Sequence, residues 1–264
     1  MNEKIFREEK FHDRWAATLS IEELKVEEYF EACTAPENRH IIKNLGNLEG
    51  KNILELGCGA GEAAVYLAKK GATVVASDIS TRMLEIVEKL AEKHNVSLKT
   101  IKFPTDKIQY PNGYFDIVYA ANVLHHVDIE NTLKEVRRVL KEGGIFVSWD
   151  PLAHNPIINI YRRITNSVRT ADEQPLRMRQ VKLFTKYFER VETKGTWFFA
   201  LWVFIRFYLF ENVDPNKDRY WKKIISEHER LKNTYCKLEK IDLFILKYFP
   251  FFKRYCWNIV IISR

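Results

Sequence analysis

Apolar residues recur along this chain in two rhythms, and the change between them divides it. Through residues 1–48 they fall at helical spacing among charged residues, which predicts amphipathic helices. Ser20 followed by Glu23 has the form of a capping box opening a helix that runs to Cys33. Pro36 starts a second helix, over about 37–45. From residue 51 short apolar runs alternate with helical stretches, the signature of a parallel sheet wrapped by crossovers. Asn52–Leu56, Thr73–Ser77, Leu98–Phe103, Phe115–Ala121 and Gly144–Trp149 predict strands, with helices near 61–70, 81–94 and 130–140 between them. Gly143-Gly144 is expected to end the last of these helices. Beyond Trp149 the rhythm loosens. Asn155–Ile164 and Leu176–Phe188 read as helices joined by the polar loop Thr165–Pro175. Arg190–Phe198 and Cys256–Ser263 read as strands, and 199–255 as two or three helices inserted before the final strand.

Composition sharpens this division. A length of 264 residues suits one α/β domain with decorations. Residues 195–264 hold 13 Lys/Arg against 7 Asp/Glu, so most of the net charge of +7 lies there, along with 18 of the 35 Phe, Tyr and Trp residues. The expected organisation is a helical cap (1–48), a near-neutral core (49–198 with 256–264) and an aromatic, basic insertion (199–255). Cys33, Cys58, Cys236 and Cys256 are scattered without a C-x-x-C pair, which predicts neither a disulfide framework nor a zinc site. Met1-Asn2-Glu3-Lys4 begins no apolar signal segment, and a reducing cytoplasm is the expected compartment.

The chemistry concentrates where the first strand ends. Ile53-Leu54-Glu55-Leu56-Gly57-Cys58-Gly59-Ala60-Gly61 is a buried strand running into a glycine turn and then a helix, and Asp78 ends the next strand 21 positions after Gly57. In a doubly wound sheet that carboxylate lies beside the turn, placed to accept hydrogen bonds from a ribose diol. The dinucleotide fingerprint is G-x-G-x-x-G, whereas this chain has G-x-G-x-G preceded by Glu55. With Tyr114–Val127 and Leu133–Gly144 following in order, residues 50–150 resemble the class I S-adenosylmethionine (SAM)-dependent methyltransferases. The closest branch is the group similar to ubiquinone/menaquinone C-methyltransferases. The resemblance implies a doubly wound, Rossmann-like seven-stranded sheet with an antiparallel last strand, and SAM as cofactor. It implies that Glu55, Gly57, Cys58, Gly59 and Gly61 form the methionine side of the site, with Asp78 on the ribose. Ile79 and Met83 would pack on the adenine, and Ala121 and Asn122 would sit near the sulfonium. The chain departs from the family at Pro104, where relatives carry an adenine-binding Asp; either Asp106 or the main chain at Thr105 is expected to take that contact.

Beyond the carboxyl ends of the strands, His125, His126, Asp150 and His154 are candidate catalytic residues. Asp150 with His154 has the makings of a general base, and His126 has a second reading as a histidine tying loop to sheet. Arg162 and Arg169, near Arg163 and Asp172, have the chemistry to hold an anionic head group; a solvated face is the plainer reading. Phe11, Arg14, Trp15 and Arg39 lie on the helices that cap the cofactor in similar enzymes. No metal ligand set is expected. The apolar run 196–210 is short of the ~20 residues that cross a bilayer. With the aromatic and basic run 241–254, it suits either a wall of the pocket or an interfacial membrane contact. Both point to a hydrophobic small molecule or lipid-like acceptor. Nucleic acid is not expected, since acidic residues interrupt the basic ones. A non-catalytic SAM-fold scaffold for membrane or partner, and an RNA methyltransferase, are the alternatives.

Overall fold

Leu54 and Leu56 point to one face of a strand and Ile53 and Glu55 to the other, and all four are buried. That two-sided burial requires neighbours on both edges and helices on both faces. The computed structural model, which describes residues 3–165, 173–216 and 218–264, has this arrangement. Its strands are β1 (Asn52–Leu56), β2 (Thr73–Asp78), β3 (Lys99–Lys102), β4 (Phe115–Ala121), β5 (Leu140–Pro151), β6 (Val191–Thr196) and β7 (Asn258–Ser263). They form one seven-stranded sheet in the order β3-β2-β1-β4-β5-β7-β6. Strands β1 to β5 are parallel, and β7 lies antiparallel between β5 and β6. The expected α/β class, doubly wound sheet and antiparallel last strand are all present.

On the amino-terminal side lie α1 (Glu3–Ala16), α2 (Val26–Glu31) and α3 (Pro36–Leu45), and the crossovers are α4 (Glu62–Lys69), α5 (Thr81–Lys93) and α6 (Ile129–Val139). Strand order reverses between β1 and β4, which opens a crevice above their carboxyl ends. Helix α3 is pinned beneath that crevice. Tyr119 Oη and Trp149 Nε1 donate to Asn38 Oδ1 at 2.7 and 3.0 Å, while Thr196 Oγ1 and Asn258 Nδ2 donate to Glu37 Oε1.

After β5 come α7 (Pro156–Ile164) and α8 (Met178–Val181), and between β6 and β7 come α9 (Trp202–Leu209), α10 (Tyr220–Ser226) and α11 (His228–Tyr248). The inserted helices build a core of their own from Trp197, Phe204, Phe207, Tyr220 and Tyr235, with Ile158 of α7. Asp242 of α11 fastens them to the end of β6 by accepting the backbone N–H groups of Phe198, Phe199 and Ala200. Arg39 of α3 adds an ion pair to Glu239 at 2.6 Å. Among the described residues no helix is long and apolar enough to cross a membrane.

Three local expectations fail. Ser20 makes no side-chain cap; Glu23 N donates to its carbonyl instead, in a 3-10 turn (Ile21–Glu23). Leu24 then turns extended and enters the core with Val26, so α2 starts late and ends at Glu31. Gly143-Gly144 lies inside β5, because Leu140 already pairs with Phe115 and a register shift at Asp116 accommodates the glycines. Of the expected helix Leu176–Phe188 only α8 and a 3-10 turn (Lys182–Lys186) form. Leu176 bridges Leu152, and Phe184 stacks on Phe146 with centroids 5.8 Å apart.

Replacing Asp242 by Ala leaves the three N–H groups of residues 198–200 without their acceptor, at a cost of about 1–3 kcal/mol. At roughly 2–4 °C per kcal/mol for a domain of this size, thermal unfolding should show a Tm several degrees lower. Asp242→Asn, which keeps one acceptor oxygen, should lose less. Equal Tm values for all three proteins would show that the anchor contributes nothing.

Candidate active site

Strand β1 ends in a turn that side chains would obstruct. Gly57 has φ +64°, and a Cβ there would lie 2.5 Å from Val123 Cγ2. Gly59 has φ +51° with nothing within 4 Å of a built Cβ, so its backbone is bared to open space. Gly61 caps α4 at φ +87°, and its missing Cβ lets α4 approach Val87 of α5. The turn is locked to the neighbouring strand. Asp78 Oδ2 accepts from Gly59 N at 3.0 Å and Oδ1 from Ser80 N at 2.8 Å, while Cys58 N donates to Ser77 O.

Above the turn lies a cavity of about 480 Å³. Its floor is acidic: Glu55, Glu62 and Asp78 all line it. Burial drives the carboxyl pKa of each upward, and for Glu55 the charges of Glu62 and Asp78 add to the rise. Glu55 Oε2 is buried without a hydrogen-bond partner. Three crowded carboxyls, one with an unsatisfied oxygen, favour a ligand that brings positive charge and donors.

Of the residues assigned to the cofactor from sequence, Glu55, Gly57, Cys58, Gly59, Asp78, Ile79, Thr105, Asp106, Ala121 and Asn122 line this cavity. Gly61 and Met83 are not among the lining residues. Gly61 serves helix packing, and Met83 is fully buried on the core face of α5 with Leu84, Val87 and Leu90. Asn122 is held in a left-handed conformation, φ +58°, with its N–H on Trp149 O. Thr105 is fixed by a 2.9 Å bond to Thr132.

The expected Asp150/His154 pair does not form. Asp150, 0% exposed, takes its hydrogen bonds from His125 instead, through Nδ1 at 2.8 Å and the backbone N–H at 3.2 Å. His154 lies outside the cavity lining. His125 is itself buried behind the wall, with Nε2 3.2 Å from Glu173. Burial opposes a charge on His125, but Asp150 and Glu173 outweigh it and raise its pKa. His126 does line the cavity, with Nδ1 3.4 Å from Glu8 Oε2. Burial, with the charge of His125, pushes its pKa down to about 4. Arg162 reaches the cavity and is oriented by Leu152 O and Asn159 Oδ1. Arg169 and Asp172 lie outside the described residues.

Other lining residues were not singled out from sequence. Helix α1 contributes Lys4, Glu8 and His12 besides Phe11 and Trp15; their spacing of three and four residues places them on one helical face, a signal that was legible. The insertion contributes Arg219, Trp221 and Lys222, which no local pattern marks. The Arg219 guanidinium sits 4.2 Å over the Trp15 ring, and Trp221 meets the same ring edge-on at 6.1 Å. Helices α1 and α10 together roof the cavity.

Comparison with known proteins agrees with this geometry. Residues 54–148 match the family described as a methyltransferase domain. An uncharacterized methyltransferase of Synechocystis is 36% identical over 119 residues, covering 44% of this chain and 53% of that protein. A sterol 24-C-methyltransferase of Gibberella zeae is 32% identical over 136 residues, covering 50% of this chain and 36% of that protein. The chain therefore spans about half or less of the length of these relatives. In fold, it is similar to the YcgJ protein of Bacillus subtilis, with a TM-score of 0.52 at 17% identity, covering 85% of this chain and 95% of that one. The fold is Rossmann-like, and the methyltransferase domain matched over residues 54–148 implies SAM as cofactor. The acidic floor, the bared glycine backbone and Asp78 beside it are compatible with that cationic nucleoside.

Gly57→Ala drives a side chain into Val123 at a strained φ, and Asp78→Asn removes the charge facing the turn. Titration calorimetry with S-adenosylhomocysteine should show each variant binding roughly 10–100-fold more weakly, the range for a lost hydrogen bond to a charged group. Unchanged affinity in both would detach the cofactor from this turn.

Proposed function

We propose that the protein transfers a methyl group from SAM to a hydrophobic, lipid-like acceptor that reaches the cavity from a membrane surface. The observation carrying this reading is one cavity with two characters. Its floor is acidic at the glycine turn, and Phe11, Trp149, Ile158, Tyr161 and Trp257 add apolar and aromatic surface to the same cavity.

The residues divide the work accordingly. Glu55 offers its unsatisfied oxygen to the cofactor's ammonium group, and Asp78 accepts from the ribose diol. Ile79, Thr105 and Asp106 lie along the side assigned to adenine, with Ala121 and Asn122 beside the sulfonium. Arg219 and Lys222 bring positive charge suited to a carboxylate, and Arg162 suits an anionic group on the acceptor. Bound there, SAM supplies an electrophilic methyl group on a sulfonium. Displacement at that carbon needs in-line alignment and exclusion of water, which the α1 and α10 roof provides. His126 lines the cavity and in this reading shapes the methyl site.

The outer surface supports the membrane route. Phe210 is 69% exposed, Phe251 62% and Phe244 62%, and Lys247, Lys253 and Arg254 lie among these aromatics in sequence. Aromatic side chains beside basic ones suit an anionic lipid interface. The sterol-methyltransferase relative lends support to a lipid-like acceptor. In this reading residues 1–48 are the cap, 49–198 with 256–264 the catalytic core, and 199–255 the membrane-facing insertion.

Radiolabelled methyl SAM offered with isoprenoid, sterol and acyl-lipid acceptors should place label in the organic-soluble product. S-adenosylhomocysteine binding without transfer to any class would favour a non-catalytic scaffold; transfer to RNA with steep salt dependence would overturn the lipid assignment. Anionic vesicles should sediment the protein, and Phe210→Asp with Phe251→Asp should weaken that binding by at least about 10-fold, the loss expected from two buried aromatic anchors. Equal recovery in the supernatant with and without vesicles would remove the membrane route.

A further inference from the structure

Ionisable side chains from three parts of the chain meet at one wall of the cavity. Glu8 and His12 come from α1, His126 from the 3-10 turn after β4 and Glu173 from beyond α7, and all four line the cavity. His125 lies directly behind them. We propose that His125, His126 and Glu173 bind a divalent transition-metal ion, with zinc the best match to the donor set. The inference is independent of the methyl-transfer reading.

The first support is distance. One donor atom from each of the three residues lies within 4.8 Å of the others. Glu173 Oε1 is 3.2 Å from His125 Nε2 and 4.0 Å from His126 Nε2. Zinc bonds of about 2.0–2.1 Å in tetrahedral geometry set ligand atoms roughly 3.3–3.4 Å apart. One edge already has that length, and small side-chain rotations bring in the third donor.

The second support is the orientation of both rings. His125 Nδ1 faces the buried Asp150 carboxylate at 2.8 Å, and His126 Nδ1 faces the Glu8 carboxylate at 3.4 Å. A carboxylate at Nδ1 holds the ring hydrogen there and directs the Nε2 lone pair outward, the outer-shell arrangement of metal-bound histidines. Here both Nε2 atoms converge on the same Glu173 oxygen. A divalent ion at this convergence would join the two imidazoles and the carboxylate at once. A proton joins only two atoms, whereas a metal ion joins all three. His126 and Glu173 line the cavity, so a fourth coordination position would open toward its interior, as in catalytic rather than structural zinc sites. The scattered cysteines had suggested no metal, but these ligands are imidazole and carboxylate.

The test uses the full chain, freed of metal by chelator and titrated calorimetrically with Zn²⁺ alone. The expected result is one tight equivalent, abolished by His126→Ala and by Glu173→Gln. Asp150→Asn should weaken binding by roughly 10–100-fold, the usual effect of losing an outer-shell partner. Circular dichroism checks that each variant is folded, and Co²⁺ absorption in the wild-type protein reports the ligand geometry independently of any variant. No tight equivalent in the wild-type protein, or equal binding by folded His126→Ala and Glu173→Gln, overturns the proposal and leaves an ion-pair network only. S-adenosylhomocysteine titrated into the same samples separates the two readings. Zinc binding without nucleoside binding would remove the cofactor assignment and keep the metal site; nucleoside binding without zinc would do the reverse.

Discussion

The hydrogen bond from the Gly59 amide to the Asp78 carboxylate is the contact on which the site depends. It joins the turn after β1 to the end of β2, so the bared backbone and the carboxylate are held at one fixed spacing. Its second oxygen accepts from Ser80 N, and the Ser80 side chain in turn caps α5. One acidic side chain therefore orders a turn, a strand end and a helix start. The cost is electrostatic. Asp78 is placed with Glu55 and Glu62 where water is scarce, and burial raises all three pKa values. Such a floor is most stable beneath a cation. The same arrangement that organises the turn therefore selects the charge of the ligand.

The central sheet was legible because parallel strands buried on both faces leave continuous apolar runs, punctuated by glycine and acid. All five predicted parallel strands exist, each displaced by a few residues at most. Where tertiary contacts outweighed local pattern, the reading failed. Leu176–Phe188 carries helical spacing, yet Leu176 is taken into a bridge with Leu152 and the chain tightens to a 3-10 turn that delivers Phe184 to Phe146. Met83 lies outside the cavity lining. It shares the apolar face of α5 with Val87 and Leu90, and a residue on that stripe faces the core.

Adjacent residues expose a deeper limit. His125 and His126 are indistinguishable in the sequence, but the tight turn sends one behind the wall to Asp150 and the other into the cavity. The aromatic insertion shows the same limit at larger scale. Its composition suited either a core or an interface, and the structure divides its aromatics between buried and exposed positions. Trp197, Tyr220 and Tyr235 form a buried cluster, while Phe210, Phe244 and Phe251 point outward. Helix α9 has only eight residues, too few turns for periodicity to separate its two faces, and the partition is set instead by where Asp242 fastens α11 to β6.

Charge is distributed around the cavity so that each region imposes a different demand. Acids at the glycine turn favour a cation. Arg219 and Lys222, contributed by the insertion, favour an anion, and burial depresses the pKa of both. The histidines with Glu8 and Glu173 form a third region. Phe11, Trp149, Ile158, Tyr161 and Trp257 add apolar surface. A ligand meeting the first two demands at once must carry positive and negative groups on one frame, as an amino acid-bearing nucleoside does. It would then occupy the charged ends and leave the apolar surface to a second molecule. The roof has the same dual origin, since Trp15 of the amino-terminal cap is covered by Arg219 and Trp221 of the insertion. Closing the cavity thus requires two segments remote in sequence to meet.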